Sequence, residues 1–517
     1  MSDLPSTWFL TSIDQVGEVT TGNTPAKKDP SNYGGACPWV KPPDLGREEP
    51  ITDTAERLSE RGTSFARIVP AGTVMVCCIG SLGKVGFAGV PLATNQQINS
   101  VSFNQLLVEP RYGFYYCQTL TNWLSENASA TTVSIVNKST FSKAPFVLAP
   151  RQEQRRIVAE IEKQFTRLDD AVAGLKRVQA NLKRYRASVL KAACEGQLVP
   201  TEAELARKEG RAYEPASELL ERILAERHAK WEAEQLRKMT AAGKTPQDDE
   251  WKKKYEEPVM ADTSVRPDLP EGWTWATWGQ VGFSQNGRPF PSKQYSREGV
   301  KLLRPGNLHE RGRVEWTPEN ARFLPQHFEE DNPDLVVGSN ELIINLTAQS
   351  LRDEFLGRVC LTSEGDHCLL NQRLARLTPI LMSRRFMLWL FKSTIFRKFV
   401  DGLNTGSLIQ HMFTSQIARF HIPVPPLAEQ ERIADAIEEQ LSSLEHLGIA
   451  CQKGVVQATV LRREVLRAAF EGKLVSHDPY EEPTSVLLER IRAGRLAVDN
   501  GRGNLKSDKR HHDVTRR

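Results

Sequence analysis

Pro150-Arg151-Gln152-Glu153-Gln154-Arg155-Arg156-Ile157 returns later in the chain as Pro426-Leu427-Ala428-Glu429-Gln430-Glu431-Arg432-Ile433, displaced by 276 positions. The register then holds without a gap. Leu190-Lys191-Ala192-Ala193-Cys194-Glu195-Gly196-Gln197-Leu198-Val199 matches Leu466-Arg467-Ala468-Ala469-Phe470-Glu471-Gly472-Lys473-Leu474-Val475 at the same displacement. A repeat this long organises the whole chain. Upstream the duplication is fainter. Leu4-Pro5, Trp8, Gln15-Val16-Gly17 and Gly22 correspond to Leu269-Pro270, Trp273, Gln280-Val281-Gly282 and Gly287 with a shift of 265, and Asn95-Gln96 and Asn371-Gln372 restore the shift of 276. The plan is A-B-A′-B′, with similar B segments and A segments that keep landmarks while their interiors differ.

Each B segment has coiled-coil spacing. In the first, Ile161, Leu168, Leu175, Leu182 and Val189 recur every seven residues, with Val158, Phe165 and Val172 on the adjoining seam; in the second, the weaker stripe is Ile437, Leu444, Cys451, Ala458 and Val465, with Leu441 and Val455 beside it. Proline precedes each rod and glycine closes it, as helix punctuation predicts. From Glu153 to Cys194 a helix spans roughly 60 Å at ~1.5 Å per residue. Antiparallel pairing of the rods within one chain would bury both stripes, put the A domains at opposite ends in a pseudo-twofold arrangement, and offer similar surfaces to two copies of one partner.

After the first rod comes Pro215-Ala216-Ser217-Glu218-Leu219-Leu220-Glu221-Arg222-Ile223, echoed by Pro483-Thr484-Ser485-Val486-Leu487-Leu488-Glu489-Arg490-Ile491. The first connector is the longer, with extra residues that include Thr201-Glu202-Ala203-Glu204-Leu205, and lengthening it is expected to alter the separation of the two domains. The charged stretch 225–257, whose core-forming residues are chiefly Trp231, Trp251 and Tyr255, reads as an exposed helical arm or docking element. The tail 496–517 is polar and basic and reads as disordered.

The A segments mix short β-rich runs, such as 73–79 and 341–346, with aromatic-rich helices expected over 112–124 and 385–400. An α+β fold class fits. Basic and polar residues gather in glycine- and proline-punctuated loops: Asn23, Thr24, Lys27, Lys28, Lys41 and Lys84 in the first domain, and Arg288, Lys293, Gln294, Arg297, Lys301 and Arg304 in the second. Such loops suit DNA, because Lys and Arg meet phosphates while Arg, Asn and Gln read base edges. The two Asn-Gln pairs fit either that role or buried amides that satisfy a turn.

Composition agrees with a multidomain protein that acts through local surfaces. The 517 residues carry 68 Lys plus Arg against 64 Asp plus Glu, a net charge of only +4, so any basic face is local. No run approaches the ~18 apolar residues of a membrane span. The first residues show no secretory pattern, so a cytoplasmic location is expected. The eight cysteines have no CxxC spacing, which argues against zinc and disulfides. Gly80-Ser81-Leu82-Gly83-Lys84-Val85 has the wrong spacing for a phosphate loop, and valine stands where a magnesium-binding hydroxyl belongs. Asp331-Asn332-Pro333-Asp334 lacks the second proline and the aromatic of an amino-methyltransferase motif. No constellation for making or breaking covalent bonds is visible.

The repeated Pro-x-x-Glu-Gln-x-x-Ile rod starts, Glu-Gly-x-Leu-Val rod ends and Leu-Pro-x-x-Trp openings together resemble the specificity (S) subunit of type I restriction-modification systems. The resemblance covers nearly the whole chain. It implies target recognition domains at 1–149 and 266–425, a central conserved helical region with the charged arm at 150–265, and a second conserved helical region at 426–495. It also implies a non-catalytic subunit that reads a bipartite site in double-stranded DNA, one domain per half-site, and docks two methyltransferase (M) subunits through its helices. Restriction (R) subunits then join. No cofactor would bind this chain directly; S-adenosylmethionine, ATP and Mg would belong to the partners. The alternative is a coiled-coil protein-interaction adaptor without DNA specificity, which accounts for the rods but not for divergence confined to the A interiors.

Overall fold

A computed structural model describes residues 4–129, 133–246, 248–264, 266–349, 354–403 and 410–490. The tail expected at 496–517 lies outside the described residues. The chain divides into two compact units, Met1–Lys176 with Gln452–Arg517, and Arg177–Cys451. Each therefore holds one domain, the N-terminal part of the rod that follows it, and the C-terminal part of the other rod.

In the first unit β1 (Phe9–Ser12), β2 (Gly17–Thr21), β3 (Tyr33–Val40), β4 (Arg57–Leu58), β5 (Ile68–Val69), β6 (Val74–Cys77), β7 (Val85–Phe87), β8 (Leu92–Thr94), β9 (Ile98–Phe103) and β10 (Pro145–Leu148) form two four-stranded sheets and one ribbon. The sheet β2-β9-β6-β7 is antiparallel; in β4-β3-β8-β5 the central β3 and β8 run parallel, with Trp39 beside Ala93; and β1 pairs with β10. The second unit repeats this plan with β11 (Thr274–Thr277), β12 (Gly282–Asn286), β13 (Val300–Leu303), β14 (Phe323–Leu324), β15 (Val336–Val337), β16 (Leu342–Asn345), β17 (Thr347–Ala348), β18 (Val359–Leu361), β19 (Cys368–Leu370), β20 (Leu374–Pro379), β21 (Gln410–His411) and β22 (His421–Val424). Its sheets are β12-β20-β16-β18 and β14-β13-β19-β15, with β13 and β19 parallel, and β11 pairs with β22. The short β17 and β21 form a further pair.

Two expected helices are each broken in two. The 112–124 run becomes Pro110–Gln118 and Thr121–Glu126, and the 385–400 run becomes Arg384–Phe391 and Thr394–Leu403. In the second case the buried Ser393 hydroxyl accepts the Phe396 N–H at 3.5 Å, a cap that restarts the helix.

The rods are the unbroken helices Arg151–Cys194 and Leu427–Phe470. They run antiparallel within each unit. In the first, Phe165 lies under Arg462 and Leu175 faces Gly454; in the second, Leu182 faces Gly448 and the Tyr185 hydroxyl meets Gln440 at 3.4 Å. The weak stripe of the second rod is explained by size. Gly454 leaves the room that the Leu175 side chain takes, so small residues opposite large ones close the seam.

The repeated motifs meet crosswise within each unit. The first rod ends at Gly196, whose φ of +68° suits glycine, and a Cβ there would sit 2.4 Å from the Pro270 ring that opens the second domain. The second rod ends at Gly472, φ +72°, and a Cβ there would sit 2.5 Å from Pro5. Rod starts are pinned as well. The buried Glu153 carboxylate accepts the Trp8 indole N–H at 2.9 Å and Glu429 accepts that of Trp273 at 2.9 Å. The neighbouring glutamines tie the rod starts to their own domains: Gln154 donates to the carbonyls of Leu107 and Ala149 at 2.8 Å each, and Gln430 donates to Pro425 and accepts from Ser383 N–H. The connectors close the same frame. Thr484 donates its hydroxyl to the Thr7 and Leu148 carbonyls at 3.1 Å, and Ala216 N–H donates to the Gly272 carbonyl at 2.8 Å. An arginine from the far rod locks the first domain, since Arg462 pairs with Glu48 and Asp169; Arg186 holds the equivalent position in the first rod and is half-buried.

The residues Thr201-Glu202-Ala203-Glu204-Leu205 are not a free spacer. They start the helix Glu202–Glu209, and the buried Glu202 gives its N–H to Glu429 at 2.8 Å and its carboxylate to Arg211 and Arg432. The stretch 225–257 is likewise folded: helix Ala216–Ala241 is met by a returning segment whose Trp251 stacks on Trp231 with ring centroids 6.0 Å apart.

Candidate nucleic-acid interface

One backbone frame recurs in both domains where the parallel strands end. The residue after β3 is Lys41 and the residues after β8 are Asn95-Gln96; the Asn95 N–H donates to the Val40 carbonyl at 3.0 Å. In the second domain Arg304 follows β13, Asn371-Gln372 follow β19, and the Asn371 N–H donates to Leu303 at 3.2 Å. A proline turn comes next in each, closed by Asp44 accepting the Lys41 N–H at 2.8 Å and by Asn307 accepting the Arg304 N–H at 2.9 Å. Gly22 and Gly287 complete the frame, since a Cβ on either would lie 2.3 Å from the carbonyl oxygen of Asn95 or Asn371. Two parallel strands thus deliver a basic residue and an amide to one edge, with a third loop packed against them.

Onto this frame the domains hang different side chains. In the first, Thr24, Lys27, Lys41 and Gln96 line a cleft with Trp39 at its base. Trp39 is buried, its indole N–H donates to the Asn23 carbonyl at 3.3 Å, and the Lys41 ammonium lies 4.6 Å from its ring centroid, a cation–π contact that holds the lysine at the rim. Glu56 pairs with Lys41, and the Thr24 hydroxyl donates to Gln96. Asn23 spends its side chain on the loop, donating to the Phe65 carbonyl and accepting the Arg67 N–H at 3.0 Å. Lys27 and Lys28 are exposed, and among the described residues no carboxylate pairs with them. Lys84 is exposed on the turn between β6 and β7, in the other sheet and outside the cleft lining.

In the second domain Arg288 bridges to Asn371 through the backbone, and its guanidinium reaches Asn332 at 3.2 Å and Asp334 at 3.9 Å. Arg304 lies 5.9 Å from the Tyr295 ring, and the loop that carries Tyr295 also exposes Lys293, Gln294 and Arg297. Lys301 is a strand residue on β13 whose ammonium sits 5.0 Å from the Trp316 ring.

The two Asn-Gln pairs divide their labour. Asn95 is buried and exchanges hydrogen bonds with Gln97 at 3.0 and 3.1 Å, and Asn371 is buried and accepts the Arg373 N–H at 3.2 Å. Gln96 is exposed at the cleft and Gln372 is exposed at the corresponding position after β19. The sequence left the two pairs open between base reading and turn-satisfying amides; the structure assigns the turn to the asparagines and leaves the glutamines exposed. A glutamine amide matches the major-groove edge of adenine, and an arginine fork matches guanine.

Among the described residues no cluster of His, Cys, Asp and Glu is arranged to hold a metal ion, and no helix is long and apolar enough to cross a membrane.

The family described as type I restriction modification DNA specificity domain matches residues 5–178 and 270–449. The type I restriction enzyme HindI specificity subunit of Haemophilus influenzae is 31% identical over 172 residues, which cover 31% of this chain and 37% of that one. The EcoAI specificity subunit of Escherichia coli is 26% identical over 294 residues, 56% of this chain and 45% of that one. The chain thus spans less than half the length of these two curated relatives. A solved chain from work on complex assembly and conformational transition of the type I R-M system shares the fold, with a TM-score of 0.58 at 19% identity, covering 92% of this chain and 100% of the other. With one copy of the duplicated frame inside each matched segment, this chain belongs to the type I restriction modification DNA specificity domain family and carries that domain twice.

Proposed function

We propose that the chain is the sequence-reading subunit of a type I restriction-modification complex and recognises a two-part site in double-stranded DNA, one domain per half-site. One observation carries this reading: a single frame, Gly22/Lys41/Gln96 and Gly287/Arg304/Gln372, is built twice and dressed with different side chains. Two readers of one shape and two chemistries suit two different DNA words. Lys27, Lys28, Lys293, Arg297 and Lys301 supply phosphate contacts, while Thr24, Gln96, Arg304 and Gln372 stand where base edges arrive. Asn23 shapes the first loop, and Arg288, half-neutralised by Asp334, orients the second. Lys84 belongs to a separate surface.

The rods hold the gap and offer docking faces to two methyltransferase (M) subunits, with restriction (R) subunits joining that assembly. The chain acts in the cytoplasm without a catalytic centre of its own, and S-adenosylmethionine, ATP and Mg are handled by the partners. Because Thr201–Leu205 are docked on the start of the second rod, the gap is set by matched rod length. Adding one heptad to both rods should lengthen it; lengthening the 201–205 connector should not. The test is selection of random duplexes by the chain purified with its accompanying subunits. Two short specified words separated by a fixed unspecified gap support the reading, and binding without sequence preference refutes it.

A further inference from the structure

The two rod junctions are duplicates that differ in one partner. At the displacement of 276 that relates the rods, Thr201 in the first connector corresponds to His477 in the second. In the second unit Thr201 caps the helix Glu202–Glu209, and the Glu202 backbone N–H reaches the buried Glu429 carboxylate at 2.8 Å, while its other oxygen takes the Trp273 indole N–H at 2.9 Å. In the first unit the His477 imidazole stands where that backbone amide would be. One oxygen of the buried Glu153 accepts the Trp8 indole N–H at 2.9 Å, and the other meets His477 Nδ1. The far nitrogen of the same ring, Nε2, meets the Gly472 carbonyl at the end of the second rod. The ring also stands edge-on to Trp8, with centroids 5.8 Å apart.

This arrangement fixes a proton count. A carbonyl oxygen only accepts, so Nε2 carries a proton; a carboxylate only accepts, so Nδ1 carries another, and the ring is an imidazolium. With the shared proton on Glu153 instead, the pair holds the same number. The closed junction therefore contains one proton more than a carboxylate beside a neutral imidazole. Glu153 is fully buried but the His477 side chain is 33% exposed, so the proton exchanges with solvent. The other charged groups around the pair have partners of their own: Arg156 on the first rod pairs with Glu481 at 2.9 Å, Lys473 beyond the second rod pairs with Glu471 at 2.6 Å, and Asp478 accepts the Tyr480 N–H at 3.0 Å. Tyr112, whose hydroxyl donates to the Val147 carbonyl at 2.9 Å, is pushed well above its ordinary value by burial first and then by Tyr116 and Glu153, and stays neutral. Histidine is the side chain built to change charge between pH 5 and 8.

We propose that Glu153 and His477 form a proton-dependent clasp, which closes the end of the second rod on the opening of the first domain while the pair holds its shared proton and releases it when that proton leaves. The sign follows from the proton count. In the open junction the ring is an ordinary histidine, half-protonated near pH ~6.5. The contribution of the clasp is complete below that pH and is lost as pH rises above it. At the matching point of the second unit the donor is a backbone amide, which does not titrate, so this gate belongs to the first unit. The clasp is independent of what the domains bind.

The test is hydrogen exchange read by mass spectrometry on the full chain at about pH 6 and pH 8.5, corrected for the intrinsic pH dependence of amide exchange, in wild type, His477→Gln and Glu153→Gln. In wild type, opening of 4–12 and 470–480 should rise by about tenfold or more between the two pH values, since a difference of one bound proton is worth up to about tenfold per pH unit. His477→Gln keeps N–H donors that do not titrate, and opening of these peptides should no longer change with pH. Glu153→Gln keeps an oxygen for Trp8 but turns an N–H toward Nδ1, which suits the neutral ring and repels the imidazolium. Its response should reverse, with the junction more open at pH 6. Peptides covering 269–277 should behave alike in all three proteins. A wild-type junction equally open at both pH values overturns the clasp, and so does a wild-type response that survives in His477→Gln, a result that decides the matter even where Glu153→Gln does not fold. A Glu153→Gln response with the wild-type sign contradicts the shared proton.

Discussion

Substituting alanine for Gly196 should loosen the second domain and leave the first intact, although Gly196 follows directly on the rod that the first domain leads into. Gly196 and Gly210 have nearly the same left-handed backbone, φ +68° and +65°. They differ in what a side chain would meet: at Gly210 nothing lies within 4 Å, whereas at Gly196 a Cβ would stand 2.4 Å from Pro270 Cγ and 3.2 Å from Trp273. Gly210→Ala thus bears the left-handed cost alone, about 1–2 kcal/mol. Gly196→Ala adds the overlap with a rigid proline ring, about 1–3 kcal/mol more. At ~1.4 kcal/mol per tenfold, local opening of the second domain's first strand should rise roughly fivefold to a hundredfold further in Gly196→Ala than in Gly210→Ala. Hydrogen exchange read by mass spectrometry on peptides covering 269–281 measures it. Equal exchange in the two variants, or loosening of 4–17 instead, would refute the crosswise closure.

Thr484→Val removes the hydroxyl that joins the last connector to Thr7 and Leu148. The first unit should lose about 0.5–1.5 kcal/mol, visible as faster exchange in 7–12 and 145–148 with 274–277 unchanged. Glu202 gives a pH dependence. Burial alone would raise its pKa, but hydrogen bonds from Arg211 and Arg432 outweigh this and hold it below its ordinary value of 4.5. A depressed carboxylate pKa stabilises the fold above the unfolded value, and that stability is lost as pH falls through the folded value. Glu202→Gln should therefore unfold at lower denaturant than wild type at pH 7, and the gap should close in acid below pH 4.5; a gap that widens in acid contradicts the pairing. Burial pushes the thiols of Cys78, Cys194, Cys360 and Cys368 up to about 12. A thiol reagent at pH 8 should label the partly exposed Cys37 in the folded chain and spare those four, while all eight cysteines react in denaturant.

The rods were legible in sequence because a heptad stripe is a local signal, and their observed starts and ends fall on the quoted motifs. Pairing of the strands was not. The strands are short, from two to eight residues, and the parallel pairs β3/β8 and β13/β19 join segments more than fifty positions apart, which no local pattern encodes. The helix breaks at Thr119 and Ser393 were hidden by continuous apolar runs, since a capping serine and an interior serine look alike until their partners are known. The crosswise closure also lay beyond reading. Repetition showed that Glu-Gly and Leu-Pro-x-x-Trp are matched, but not that the motif ending one copy packs on the motif opening the other. At the candidate interface, loop composition singled out Thr24, Lys27, Lys41, Arg288 and Arg304, which the two copies of the frame carry on or beside their parallel-strand edges. It also included Lys84, which stands on another sheet, and left the two Asn-Gln pairs open, because exposure alone separates each glutamine from its buried asparagine neighbour.

The central claim, that each domain reads its own half of the site, is tested most directly by duplex selection with Gln96→Ala and, separately, with Arg304→Ala. Each substitution should relax a position in one half-site at a cost of about 1–3 kcal/mol, in different halves for the two variants, with the gap and the other half unchanged. If either variant altered both halves, altered the gap, or weakened all sequences equally, the assignment of one domain to each half-site would be wrong.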